Sequence, residues 1–471
     1  MRGLGIFRVF WEKIWAGLFL VIAVLAAAFQ AGHAFLEGDT FWHIKTGQWI
    51  LENRVIPLHD PFSWSANGNP WTAHEWLWDL AAGWAWNTAG KWGLWALMLI
   101  GIALFASALW LILRRISTPL TASVLTGVVL IIVPSFWCAR PHVLATGLFA
   151  VWIALLIFGR ERPPLLYWLI PVAVVWANVH GSVLLGVGFI VVALLCGFLE
   201  KDSPKYQRTL LLVFVISLLA VCLTPQGIKI YSYVVQLTSH SGMMDSISEW
   251  QSPNFHNTYM LPFLIMIGIV ICLLLLKPRQ VSLFHGFLVA ITLIMSLLQV
   301  RQAPLFYFSA VILIADQLPW DQQTTPKSID LLSVILVAGL IFTAWPFQVS
   351  WTESPREGQL YPEQALEYIK EHGYTERIFN DYSWGGYLIF NDVKVFVDGR
   401  ADMYVLSGTS VFEDYLQLRH GSFNNPLQIL DNYQVEVVLI PPDRSLRWAL
   451  EHAPNWRKAY FSYPAVVFVR E

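Results

Sequence analysis

Asp39, His43, His74, Glu75, Arg140, His142, Asn178, His180, Gln226, Lys229, Glu249, Arg301 and Gln302 all fall at one end of the apolar runs in this 471-residue chain. They come from stretches far apart in sequence, and their chemistries complement one another. A carboxylate within hydrogen-bond reach of a hydroxyl or amine can take its proton. Guanidinium groups can hold a phosphate through charge-assisted bonds as negative charge grows on it. Polar groups at membrane depth are costly, so they line a cavity or pair with one another. Their collection at one end predicts a single polar site opening on one face of a membrane.

The elements that must position these residues are membrane helices. Apolar residues make up 56% of the chain and charged residues only 13%, about half the charge of a soluble domain. Apolar runs of about 17 to 25 residues, the length that crosses a hydrocarbon core, recur through the first three-quarters. Eleven spans are expected, near 14–31, 93–113, 119–137, 143–158, 165–177, 183–199, 209–223, 260–276, 281–299, 303–318 and 331–348. The first reads as a retained anchor, because no small-residue cleavage site stands apart from it. With the N-terminus inside, thirteen Lys and Arg fall in cytoplasmic connections against six outside, as the positive-inside rule requires. A net charge of −2 and the lack of a basic tail argue against a nucleic-acid partner. Cys138, Cys196, Cys222 and Cys272 lie in or beside apolar runs without metal-type spacing, and read as small hydrophobes.

The expected fold class is therefore a polytopic α-helical membrane protein, in two parts. Residues 1–348 form the transmembrane domain. Its first extracytoplasmic loop, 32–92, carries eight tryptophans between Trp42 and Trp86, and 40–52 and 72–87 read as helices along the outer surface. Residues 349–471 form an extracytoplasmic α/β domain. Its pieces are helix-like ("PEQALEYIKEHG", "LQILDNY", "SLRWALEHA") and strand-like ("RIFN", "VKVFVDG", "VEVVLIPP", "AVVFVRE").

Each polar residue also has a plain structural role open to it. Asp39 suits the N-cap of a helix beginning at Thr40, and His43 lies one helical turn further on. "TAHE", residues 72–75, fits a capping box with Thr72 as cap and Glu75 reaching back; Glu75 and Asp79 are again one turn apart. Arg140 in "CARPHVL" and Arg301 in "QVRQAPLF" either snorkel to headgroups or bind phosphate. "NVHGS", residues 178–182, is a short turn, with His180 in the turn or in a cavity wall. Asp398, Arg400 and Asp402 suit a strand-end ion cluster, and Gly385-Gly386 suits close packing. No P-loop, HExxH or GxSxG pattern occurs.

An acid just beyond the first span, in a long first outer loop with surface helices, resembles the GT-C superfamily of membrane glycosyltransferases. That superfamily includes oligosaccharyltransferases, protein O-mannosyltransferases and aminoarabinose transferases. "DTFWH" is similar to the first-loop motif of some oligosaccharyltransferases. "DTFWHIKTGQWIL", "DPFSW", "HEWLWD", "NVHGS" and "VFVDGRADMY" together resemble a bacterial group of GT-C-like membrane proteins of undefined substrate. The resemblance implies a transfer, usually inverting, of sugar from a polyprenyl-phosphate carrier to a glycan, lipid or protein acceptor at the outer face of the cytoplasmic membrane. Asp39 then matches the acid that activates the acceptor, and Glu75 is the candidate second acid. His43, His74, Arg140, His142, Asn178, His180 and Arg301 are the candidate substrate-binding residues, with the two arginines assigned to the carrier phosphate by charge and location. Thr40 after Asp39 departs from the acidic pair of the mannosyltransferases, and "DYSWGG" only faintly echoes the oligosaccharyltransferase acceptor motif. A divalent cation stays open as cofactor, with no metal ligand assigned. Two alternatives use the same residues without chemistry: a flippase for a lipid-linked sugar, and a non-catalytic envelope assembly protein.

Overall fold

The computed structural model describes residues 2–30, 37–133, 136–239, 247–276, 281–317, 360–421 and 425–471. The helices of the first three-quarters are α1 (Arg2–Gln30), α2 (Gly38–Asn53), α3 (Trp76–Ala89), α4 (Lys91–Ile116), α5 (Pro119–Ile132), α6 (Pro141–Gly159), α7 (Leu169–Val179), α8 (Val183–Leu199), α9 (Pro204–Val221), α10 (Lys229–Ser239), α11 (Leu261–Leu276), α12 (Leu283–Leu298) and α13 (Ala303–Gln317). After residue 360 come α14 (Glu363–Glu371), β1 (Ile378–Asn380), α15 (Gly385–Phe390), α16 (Ala401–Leu406), α17 (Val411–His420), α18 (Pro426–Asn432), β2 (Val437–Ile440), α19 (Ser445–Glu451), β3 (Trp456–Ser462) and β4 (Ala465–Arg470). The chain divides into two compact units, neither continuous in sequence. One gathers described residues of 1–32, 95–232 and 244–348; the other gathers those of 33–94, 233–243 and 349–471.

The first unit is a helical bundle. Its helices begin where local chemistry permits. Thr118, Ser203 and Ser282 accept hydrogen bonds from the backbone N–H of Thr121, Tyr206 and His285, filling donors that a helix start leaves open. Pro119, Pro141 and Pro204 occupy first turns, where the missing N–H costs nothing. The core is aromatic: Trp152 meets Trp176 edge-on at 5.8 Å, and Phe105 lies 5.4 Å from Phe308. Among the described residues, α4, α6 and α9 are long and apolar enough to cross a membrane by length and composition; the other apolar stretches, among them Ile14–Ala28 of α1, are shorter. Each of the first ten expected spans falls on a helix, 165–177 starting in a 3-10 turn and 119–137 ending early at Ile132. The eleventh, 331–348, lies outside the described residues.

The second unit joins the segment between α1 and α4 to the C-terminal region. Helices α2 and α3 cross at Gly47 and Gly83, where a methyl on either glycine would overlap the partner helix's backbone. The sheet is mixed, in the order β1-β2-β4-β3, with β1 parallel to β2 and the other pairs antiparallel. Strands β2 and β4 are buried nearly throughout, which is why "VVLI" and "AVVFV" read as continuous apolar runs.

Two expectations change. "VKVFVDG" is not a strand of the sheet. Its Val395 pairs instead with the first-loop segment, through Trp64 N–H to Val395 O (3.0 Å) and Val395 N–H to Phe62 O (3.3 Å). The buried Asn380 side chain completes the substitution, donating to Val397 O and accepting from Phe396 N–H, both at 2.8 Å. The fourth strand is β3, "WRKAYFS", whose adjacent exposed charges, Arg457 and Lys458, break the apolar pattern.

Candidate functional site

Asp39 lies in the first turn of α2, after an N-cap at Glu37 rather than as the cap itself. A carboxylate there is favoured by the partial positive charge of the helix start. Asp39 is half-buried, and Trp42 Nε1–H donates to its Oδ1 at 3.2 Å. Gly399 lies against the same oxygen so closely that a methyl on it would overlap the carboxylate. Gly386 and Gly38 meet in the same way, backbone to backbone. The Gly385-Gly386 pair of "DYSWGG" thus serves to seat α15 on the start of α2.

His43 turns its Nδ1 to Asp79 Oδ1 at 2.6 Å, and both residues are 1% exposed. The pairing follows from the glycine crossing. His43 precedes Gly47 by one turn, Asp79 precedes Gly83 by one turn, and the contact between the glycines brings the polar pair together. One turn on, Gln48 donates to Asn87 at 2.7 Å. Burial first, and the nearby Glu75 charge second, push the Asp79 carboxyl well above the usual range, against the opposing pull of Arg400. Asp79 Oδ2 has no hydrogen-bond partner among the described residues, an arrangement that favours a shared or retained proton on this buried pair.

His74 and Glu75 form a second cluster. Helix α3 begins at Trp76 with Glu75 as its N-cap residue and no side-chain cap bond, so the capping box expected at Thr72 is not formed. Glu75 Oε1 lies 3.5 Å from His74 Nε2. On the other ring nitrogen, Tyr233 Oη stands 3.0 Å from Nδ1 and donates its own proton to Asp402 Oδ2 at 2.6 Å. Burial alone would lower the His74 pKa; Glu75 and Asp402 outweigh it and raise it to about 9. The result is a chain of carboxylate, imidazolium, phenol and carboxylate. Asp402 therefore departs from the expected ion cluster. Asp398 and Arg400 do pair, and the third member is Asp60: Arg400 donates to Asp398 at 2.8 and 2.7 Å and to Asp60 at 2.7 Å.

In the first unit, Arg140 precedes α6 and pairs with Glu249 at 2.5 Å. Arg301 lies over the Trp250 ring at 4.1 Å. Adjacent residues of one 3-10 turn, Ser248–Trp250, thus engage the two arginines. Arg140, above all, holds the Glu249 carboxyl down to about 2 against burial, with smaller help from His142 and Arg301. His142 Nε2 is 3.0 Å from Phe136 O and 3.3 Å from Cys138 Sγ. Asn178 donates to Val174 O and Leu223 O, which ties the end of α7 to the segment after α9. His180 Nδ1 bonds Ser182 inside the "NVHGS" turn, at 2.8 Å to its hydroxyl.

No family model matches the sequence, and no curated protein matches it. Solved structures do. The archaeal oligosaccharyltransferase AglB from Archaeoglobus fulgidus, in complex with an inhibitory peptide and a dolichol-phosphate, is 10% identical, with a TM-score of 0.64 over 91% of this chain and 70% of its own. ArnT from Cupriavidus metallidurans bound to undecaprenyl phosphate is 11% identical, with a TM-score of 0.54 over 96% of this chain and 97% of its own. Its apo state is 14% identical with a TM-score of 0.57. The fold is GT-C-like.

Within this GT-C-like fold, reasoning from sequence overlooked Asp60 and Tyr233 and gave Asp402 the wrong partners. Asp60 carried a signal, since "DPFS" is an Asx-type turn: its carboxylate accepts from the N–H of Phe62 and Ser63 at 3.0 Å each. Tyr233, in α10, carried none. Among the described residues, no group of three His, Cys, Asp or Glu is placed to hold a metal ion.

Proposed function

We propose that this chain is a membrane glycosyltransferase. It moves a sugar from a polyprenyl-phosphate-type donor to an acceptor at the outer face of the cytoplasmic membrane, with inversion at the anomeric carbon. The observation that carries the reading is the fold shared, over 96% of this chain, with a protein bound to undecaprenyl phosphate. Asp39, in the first turn of the first-loop helix, is the acid such a fold needs at its acceptor.

In one displacement the acceptor O–H or N–H gives its proton to Asp39 as its oxygen or nitrogen bonds to the anomeric carbon. The bond from that carbon to the phosphate oxygen breaks on the opposite face, and the electron pair leaves with polyprenyl phosphate. Arg140 and Arg301 are the proposed binders of the carrier phosphate, chosen by their charge. Glu249 competes for Arg140 until a phosphate arrives. Glu75 acts in this scheme through His74, keeping the imidazole charged, and His43 is held by Asp79.

The test is mass spectrometry of lipids that co-purify with Asp39→Asn and with wild type. The reading expects glycosylated polyprenyl phosphate on the variant and polyprenyl phosphate without sugar on wild type. Polyprenyl lipid on neither protein, or wild-type sugar transfer by Asp39→Asn, would overturn it.

A further inference from the structure

We propose that Trp42 and the Gly399 turn form a clamp that sets the orientation and protonation of the Asp39 carboxylate, with Trp42 as a positioning residue. The proposal rests on the reading of Asp39 as the reactive acid, and its physical core can be tested apart from that reading.

The first half of the clamp is the indole. Trp42 is 6% exposed, one turn after Asp39, and its Nε1–H points at Asp39 Oδ1. An indole N–H can only donate, so the contact stabilises the ionised carboxylate and not the protonated oxygen. The ring itself cannot swing. It lies against His43 at 3.6 Å between centroids and meets Trp71 edge-on at 6.4 Å.

The second half is the backbone of Gly399. A side chain there would overlap Asp39 Oδ1 and crowd Trp42 Nε1, so glycine is what lets the turn approach. Its neighbours, Asp398 and Arg400, are fully buried and bonded to one another, and Tyr382 Oη donates to Gly399 O at 3.2 Å. The turn is therefore an immobile wall. Rotating the carboxylate about its Cβ–Cγ bond breaks the indole bond at Oδ1, the same oxygen that the Gly399 turn abuts. A reacting group held this way needs little reorganisation at the moment of proton transfer. The clamp also gives the C-terminal region a role: it supplies one side of the reactive acid's pocket.

Infrared difference titration of the full-length protein in detergent reads the clamp without any substrate. Wild type minus Asp39→Asn isolates the Asp39 carboxyl band, and Trp42→Phe minus Trp42→Phe/Asp39→Asn isolates it without the indole N–H. The midpoint is expected to rise by about one pH unit in Trp42→Phe, a ~tenfold gain in proton affinity, and to return toward wild type in Trp42→His, which keeps a ring N–H. Gly399→Ala, which leaves the indole and displaces the carboxylate from it, should move the midpoint the same way. A midpoint unchanged in both Trp42→Phe and Gly399→Ala overturns the clamp. A shifted midpoint together with an Asp39→Asn protein that still transfers sugar leaves the clamp standing and removes the catalytic reading.

Discussion

Replacing Arg400 by Met should destabilise the second unit, and the size of the loss can be worked from its contacts. Arg400 is 1% exposed, bridges Asp398 and Asp60, and lies between Trp71 and Phe62 at 4.7 and 5.1 Å. Two carboxylates face one guanidinium, so the cluster tolerates its excess negative charge only through further donors. Asp398 takes Tyr404 Oη at 2.6 Å and Arg400 N–H at 2.9 Å; Asp60 takes two backbone N–H groups and the Ser63 hydroxyl. Burial would raise the Asp398 carboxyl, but Arg400 and these bonds outweigh it and hold it low. Met fills much of the aliphatic volume and strands both anions. Removing one partner of a buried pair costs about 3–5 kcal/mol. Arg400→Lys keeps one charge but loses the two-pronged grip on Asp398, at about 1.5–3 kcal/mol for a charge-assisted bond. Thermal unfolding of the detergent-solubilised protein, followed by tryptophan fluorescence, measures both. Adding Asp60→Asn and Asp398→Asn to Arg400→Met should recover part of the loss, since neutral amides no longer need the cation. An Arg400→Met protein within about 0.5 kcal/mol of wild type, the range of an ordinary surface change, would refute the reasoning.

Two further outcomes follow from the same unit. The raised His74 pKa means its charged form stabilises the fold fully below the ordinary value of 6.5, and that contribution is lost as pH rises through about 9. The stability advantage of wild type over His74→Gln, on the order of 2 kcal/mol after discounting for its coupled carboxylates, should therefore shrink between neutral pH and pH ~10 in melting curves; a gap that does not change with pH would contradict the ion chain. Gly83→Ala should destabilise by about 1–3 kcal/mol through overlap with the Gly47 backbone, although alanine ordinarily stabilises a helix interior by ~1 kcal/mol. The sign of that change in the same melting assay decides whether the close crossing exists.

What could be read from the chain was whatever depends on neighbours along it. Apolar runs located the helices of the first unit because each span must be apolar over its own length. The Trp-rich pieces were recognisable as helices for the same reason, and Asp398 with Arg400 as a local pair. Partners chosen across long sequence separations were not legible. His43 has an acid one turn before it in Asp39, yet its Nδ1 goes to Asp79, because two glycines a turn beyond each residue let the helices touch there. The strand-like "VKVFVDG" is not in the sheet; Asn380 and the Phe62–Trp64 segment bond its backbone instead. In each case a small or turn-forming residue decided which backbone could approach, and polar pairing followed from that approach. Such glycines at helical spacing from His or Asp are a usable signal: in "HIKTG" and "DLAAG" the same four-residue offset appears twice, on the two helices that meet. At Asp39 the spacing differs, but the absence of a side chain at Gly399 likewise allows the C-terminal turn to reach the acid.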